Sequence, residues 1–255
     1  MKVIILAGGL GTRLFEETQV KPKPMVEIGG YPIIWHIMKI YSHYGYNEFI
    51  TTLGYKGEII KDFFLNYKKY FLNQTINLAE NSISHHNKIQ EDWIVHLLST
   101  GVNSLTGTRI RMAMEFAGKE TVMMTYGDGL ANVNVEKLYE FHKSHGKLAT
   151  LTAVRPSARF GEINFDEDKV IMFKEKPQAG EGWINGGFIV LEPEVINFLK
   201  DFDGPFEKDP LESLSNQGQL MAYKHEGFWQ AMDVLRDKII LNNMWENNKA
   251  EWKIW

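Results

Sequence analysis

The chain contains no cysteine. That excludes a disulfide framework, a thiolate zinc site, an iron–sulfur cluster and a thiol nucleophile. It also lacks any apolar run of about eighteen residues, so no membrane-spanning helix is expected. The opening Met1–Gly9 stretch has one lysine and a short apolar run. Glycines follow where a secretory signal would continue its apolar region, so Lys2–Ala7 reads as a buried first strand and the expected location is the cytoplasm. Charge of one sign is scarcely in excess: 28 Lys and Arg against 32 Asp and Glu leave a net charge of −4. A phosphate backbone needs clustered cations, so neither nucleic acid nor membrane is an expected partner. Fixed-period repeats and low-complexity tracts are missing too. What is present is a 255-residue chain with 44% hydrophobic and 24% charged residues, long enough for a sizeable core.

Strand-like and helix-like segments alternate from the start. Val3–Ala7 is a continuous aliphatic run suited to a strand covered on both faces. Pro32–Tyr44 follows with apolar residues at helical spacing and Gly45 as a stop. The pattern then predicts strands over Phe49–Leu53, Ile94–Leu98, Thr121–Tyr126, Ala149–Val154 and Ile184–Leu191. Helices are expected over Glu58–Phe71, Gly107–Phe116, Val135–His145 and Leu235–Asn248, with short ones near Pro193–Leu199 and Pro210–Asn216. Gly161–Phe165 and Lys169–Lys174 read as a hairpin. Residues 73–93 are polar and poorly periodic, which fits a surface loop or an insertion that touches another subunit. The alternation predicts a Rossmann-like, doubly wound, mixed but mainly parallel α/β sheet, with ligands at the carboxyl ends of its strands. One domain over residues 1–255 is expected, divided at about residue 155 into two halves, with a C-terminal helix and tail from about residue 235.

Chemistry is concentrated in a few segments. Leu6-Ala7-Gly8-Gly9-Leu10-Gly11-Thr12-Arg13-Leu14 directly follows the first strand. Its glycines let backbone N–H groups approach a phosphate chain, and Arg13 adds a planar charged fork. No Gly-Lys-Ser/Thr is present, so the loop is not a Walker A loop; Leu14 stands where the dinucleotide fingerprint needs a third glycine. An ordinary strand-to-helix turn is the alternative, though such a turn needs fewer glycines and no arginine. Ten residues on, Lys21-Pro22-Lys23-Pro24-Met25 is stiffened and held extended by prolines and can present Lys23 at a fixed place. Asp128, in Tyr126-Gly127-Asp128-Gly129, follows a predicted strand where a metal-binding carboxylate belongs in such a sheet. His85-His86 lacks further ligands at helical spacing, and His36 reads as a core or interface histidine.

These segments together resemble the sugar-phosphate nucleotidyltransferases. The stretches that carry the resemblance are MKVIILAGGLGTRL, EETQVKPKPMVEIGG, GYKGEIIKDFF, TGVNSLTGTRI, TYGDGLANV, RFGEINF, FKEKPQ, WINGGFIVLEP and GFWQAMDVLRDK. The match is narrower to the cytidylyl-transferring branch, and it implies CTP and glucose 1-phosphate as substrates and Mg²⁺ as cofactor. Spacing alone leaves thymidylyl, uridylyl or guanylyl transfer open, as well as a non-catalytic nucleotide-sugar-binding module. By the resemblance, Leu6 through Arg13, Lys23, Ser104, Gly107 and Arg109 hold the nucleotide, the last two selecting the base. Arg13, Lys23 and Asp128 carry catalysis, and Asp128 and Asp233 hold the metal. Arg159, Gly161, Glu175, Lys176 and Asn185 form the sugar-phosphate half. Asp233 follows Ala231, where the family usually has proline. The family also implies a homo-oligomer, a hexamer in the cytidylyl branch.

Overall fold

The computed structural model describes residues 1–156, 162–166, 169–174 and 182–255. Val3–Leu6 (β1), Glu48–Leu53 (β2), Ile94–Ser99 (β3) and Val122–Tyr126 (β4) lie side by side in the order β3-β2-β1-β4, all parallel. The chain winds outward from β1 through β2 to β3, then returns to the opposite side of β1 for β4. That reversal opens a crevice at the carboxyl ends of β1 and β4. Every residue of β1 is buried. Val3 and Ile5 enter one apolar core, Ile4 and Leu6 the other, which is why the run is aliphatic throughout rather than alternating. Burying each such side chain stabilises the fold by about 1.5–3 kcal/mol.

The sheet continues with Ala149–Val154 (β5), Ile184–Asn185 (β6), Ile189–Leu191 (β7) and Leu220–His225 (β8). β7 pairs antiparallel with β4 and with β5, β6 pairs antiparallel with the far end of β5, and β8 runs parallel to β5. The helices are Ile33–His43 (α1), Gly57–Leu65 (α2), Thr106–Ala117 (α3), Val135–His145 (α4), Asp209–Asn216 (α5) and Leu235–Glu246 (α6). α1, α2, α4 and α6 pack on one face of the sheet, α3 and α5 on the other. The result is the doubly wound, mixed and mainly parallel sheet that the alternation predicts. No helix among the described residues is long and apolar enough to cross a membrane.

Three segments differ from their sequence reading. Glu58–Phe71 is not one helix: α2 stops at Leu65 and a short helix resumes over Tyr67–Phe71. Asn66 sits between them with φ −101° and ψ 16°, its side-chain amide donating to the Asp62 carbonyl (2.9 Å) and so competing with the helical ladder. Ile184–Leu191 is a broken strand. Gly187 has φ +75° and Phe188 φ +46°, and a Cβ on Gly186 would stand 2.6 Å from Val154, so the chain bulges between β6 and β7. Within residues 73–93, Gln74–Asn77 and Ser82–His85 form an exposed two-stranded ribbon. The expected hairpin pairs Glu162–Asp166 with Lys169–Lys174.

Candidate active site

β1 ends at Leu6, and the glycine-rich loop leaves it at the crevice. Gly11 has φ +65°, a left-handed conformation that glycine adopts at little cost, and its carbonyl accepts from the Leu14 amide (3.0 Å) and the Thr18 hydroxyl (3.1 Å). Thr12–Leu14 then makes one 3₁₀ turn, anchored by the buried Leu14, which leaves Arg13 exposed. Pro22 is extended as expected, but Lys23–Met25 turns into a second 3₁₀ segment with Met25 and Val26 buried beneath it. Lys23 is thereby aimed inward, with a side chain only 12% exposed.

Two carboxylates meet it. Asp128 follows β4 after Gly127; Asp233 lies far along the chain. The short strands Gly129–Ala131 and Trp229–Ala231 pair antiparallel, and the Met232 amide donates to the Asp128 carbonyl (2.9 Å), so the two acids are brought together. Ala231 pairs opposite Gly129 in this ladder. The Lys23 ammonium donates to Asp128 Oδ2 (2.6 Å) and to Asp233 Oδ1 (2.8 Å). Arg13 Nη1 donates to Asp233 Oδ2 at 2.7 Å. Burial opposes the charge on Lys23, and the two acids outweigh it, so its pKa stands above the ordinary lysine value. Asp237 steadies the arrangement: its Oδ2 accepts from the Asp233 and Val234 amides (2.9 and 3.0 Å), capping the first turn of α6.

A cleft of about 360 Å³ opens beside this cluster. Leu6, Ala7, Gly8, Gly9, Gly11, Thr12, Arg13, Lys23, Ser104, Arg109 and Asp128 line it, together with Pro24, Leu105, Thr106, Tyr126 and Gly127. Leu10 is exposed instead. Gly107 lies behind the wall, its amide donating to the Gly204 carbonyl at 3.0 Å. Arg109 is buried, with Nη1 donating to Leu53 O (3.1 Å) and Thr100 Oγ1 (2.5 Å), and Nη2 to Gly8 O (2.9 Å) and Val102 O (3.3 Å). The base-selecting donors expected at Gly107 and Arg109 are thus engaged by protein oxygens, and both residues shape the cleft from beneath. A Cβ on Gly8 would stand 2.1 Å from the Arg109 guanidinium, and one on Gly54 would stand 2.5 Å from the Gly8 carbonyl. Glycine at 8 and 54 is therefore a condition for Arg109 to lie there. A larger open cavity of about 840 Å³ adjoins Ser104 on its far side, but holds neither the acids nor Lys23.

Asn185 stands at the bulge between β6 and β7. Its Nδ2 donates to the Tyr126 hydroxyl (3.2 Å), and its Oδ1 accepts from the Gly187 amide (3.0 Å). Arg159, Gly161, Glu175 and Lys176 lie outside the described residues. Sequence reasoning assigned no role to Gly54, Tyr126 and Asp237. For Asp237 a signal existed, an acid three residues into a helix; Gly54 opens the quoted GYKGEIIKDFF stretch, but its contact with the Arg109 guanidinium, 55 residues away, is not readable from that stretch. His36 is a core histidine as expected, fully buried, with Nε2 on the Ile28 carbonyl (2.9 Å) and Nδ1 accepting from Trp252 Nε1 (3.3 Å). His86 meets the Thr75 hydroxyl (2.6 Å), and no metal cluster of three or more His, Asp or Glu occurs among the described residues.

Two lysine- and arginine-matched acids at the switch point of a doubly wound sheet, under a glycine-rich loop, are suited to handling small polyphosphates. Known proteins agree. Proteins of Salmonella typhi and Salmonella typhimurium, both named glucose-1-phosphate cytidylyltransferase, are each 50% identical to this chain over 100% of both lengths. The crystal structure of HddC from Yersinia pseudotuberculosis superposes with a TM-score of 0.67 at 25% identity, covering 96% of this chain and 99% of that one. Residues 2–234 match the family model described as nucleotidyl transferase, and the chain belongs to that family.

Proposed function

We propose that this chain transfers a cytidylyl group from CTP to glucose 1-phosphate, giving CDP-glucose and pyrophosphate. The observation that carries the reading is the contact of Lys23 with both Asp128 and Asp233 at the mouth of the glycine-lined cleft. The names of the two Salmonella relatives supply the substrates. In the reaction a phosphate oxygen of the sugar phosphate forms a bond to the α-phosphorus, and the bond from that phosphorus to the pyrophosphate oxygen breaks. The nucleophile is already anionic at neutral pH, so no strong base is required. The barrier is the approach of two polyanions, and catalysis rests on placement and charge neutralisation.

The protein's groups suit those tasks. Amides of the Gly8–Thr12 loop and the fork of Arg13 hold the triphosphate and the departing pyrophosphate. Lys23 places a fixed positive charge beside the reacting phosphates. Ser104 and Arg109 line the base pocket, and Gly107 supports its wall from behind. Asn185, with Arg159, Gly161, Glu175 and Lys176, receives the sugar phosphate, Lys176 neutralising its charge. Asp128 and Asp233 turn hard oxygen donors toward one ammonium, a donor set that fits a divalent ion bound by one or two carboxylates plus phosphate oxygens and water. Mg²⁺ held there would supply charge neutralisation on the phosphates. The exposed Ile76, Leu78 and Ile83 of the surface ribbon support assembly into a homo-oligomer, a hexamer by resemblance, and the cytoplasm suits these substrates.

A panel of CTP, UTP, dTTP, GTP and ATP with glucose 1-phosphate and Mg²⁺, read by pyrophosphate release, tests the reading. CTP should be preferred by at least tenfold in kcat/KM, a modest margin for a specific pocket. Preference for another base would sink the cytidylyl reading and keep the chemistry; no release with any of them would sink both.

A further inference from the structure

Glu207 stands outside every motif, on the segment that leads into α5. Its carboxylate joins two walls of the cleft. Tyr126, the last residue of β4 and two before Asp128, donates its hydroxyl to Glu207 Oε1 at 2.8 Å. Thr106, the first residue of α3, donates its hydroxyl to Glu207 Oε2 at 2.7 Å. Each hydroxyl also accepts: Tyr126 from Asn185 Nδ2 (3.2 Å) and Thr106 from the Phe206 amide (2.8 Å). The chain therefore has one polarity. Donors run inward from both ends and terminate on the carboxylate, the group whose two oxygens can accept from both sides.

The same segment laces onto the start of α3. The Gly107 amide donates to Gly204 O (3.0 Å), and the Thr108 hydroxyl donates to Asp203 (3.0 Å). α3 has no side-chain cap of its own, so the segment satisfies one of its open amides.

We propose that Glu207 is a positioning residue that, through Tyr126, fixes Asn185 for the sugar phosphate while holding Thr106 in the nucleotide wall. The proposal rests on the reading of Asn185 as a sugar-phosphate contact. It assigns to Glu207 the registration of the two substrates rather than any contact with reacting atoms. Glutamine at 207 keeps the shape but offers one oxygen acceptor and one donor. The hydroxyl that faces the amide NH2 then loses the acceptor for its own hydrogen, so one of the two links is weakened.

The test compares Glu207→Ala, Glu207→Gln, Tyr126→Phe and Glu207→Ala/Tyr126→Phe in steady-state kinetics. Glu207→Ala should raise KM for glucose 1-phosphate roughly tenfold, move KM for CTP much less, and lower kcat/KM by roughly ten- to a hundredfold. Glu207→Gln should fall between wild type and Glu207→Ala. The double variant should be no worse than the worse single one, since both break one chain. An unchanged KM for the sugar phosphate, a larger effect on CTP, or additive losses would overturn the proposal. Amide hydrogen exchange gives an arm independent of turnover. Glu207→Ala should quicken exchange at Gly187, whose amide is held by Asn185, and at Gly107, with the thermal midpoint unchanged. Faster exchange at Gly107 alone would overturn the link to Asn185 even if the panel of nucleotides had already displaced the cytidylyl reading.

Discussion

Lys23 carries a positive charge into a place where burial works against it, and two acids keep it there. Its raised pKa has a definite sign. The stabilisation from its ion pairs is fully present below the ordinary lysine pKa, about 10.5, and is lost only as pH rises through the raised value. Lys23 thus stays charged across the neutral range, and any loss of activity on the acid side must come from other groups. Replacing Lys23 by alanine removes a preorganised cation and leaves two carboxylates facing each other. Turnover of Lys23→Ala at saturating substrates should drop by roughly a hundredfold or more, about 3 kcal/mol of transition-state stabilisation. Arg13→Ala should lose a comparable amount. Near-normal kcat in both variants would remove these two residues from the chemistry. Arg13 is far more exposed than Lys23, so its contribution should weaken with added salt while that of Lys23 should not.

At the scale of elements, α1, α6 and the segment after α6 share one polar buried point. His36 on α1 donates to Ile28 O and accepts from the fully buried Trp252, so both ring nitrogens are occupied in the neutral form. Burial lowers its pKa to about 4, against backbone contacts that favour the charge. A folded-state pKa below the unfolded one means that the unfolded chain takes up the proton first. Stability should therefore be undiminished above about pH 6.5 and fall as pH drops from there toward about 4, by roughly 3 kcal/mol from this group. Denaturant midpoints measured across that range should show the slope, and His36→Gln should flatten it.

Elements were readable where periodicity and punctuation agreed: the apolar run of β1, the spacing of α1 before Gly45, the Gly-Asp-Gly after β4. They were misread where the cause was tertiary or local to one side chain. Nothing in the spacing of Glu58–Phe71 reveals that Asn66 turns back on Asp62; in Ile184–Leu191 the pair Gly186-Gly187 allows a bulge, but does not reveal that Val154 presses on Gly186. In the site, Arg13, Lys23 and Asp128 were legible because each belongs to a dense local motif. Their convergence with Asp233 was carried by family resemblance, since Asp128 and Asp233 meet only through the pairing of Gly129–Ala131 with Trp229–Ala231.

Across the whole molecule, a net charge of −4 coexists with a cleft lined by Arg13 and Lys23. A few cations placed by the fold can receive small phosphates without a basic surface, and the acids beside them offer a place for a divalent ion. The contact of Arg109 with Gly8 and Gly54 has a consequence for how such a protein can change by descent. A Cβ at position 8 collides with the guanidinium of Arg109, whereas a Cβ at position 54 also meets the backbone oxygen of Gly8. Position 8 is therefore hostage to position 109, while position 54 is fixed by the chain itself. Alanine at 8 should be unfit beside arginine and tolerated once Arg109 is shortened; alanine at 54 should be unfit in either background. A pairwise mutational library over positions 8, 54 and 109, sorted on folded yield, should record that asymmetry, and equal tolerance at 8 and 54 would contradict it. Lineages that keep Arg109 have then given up one avenue of variation in the glycine-rich loop, a constraint imposed from about a hundred residues downstream.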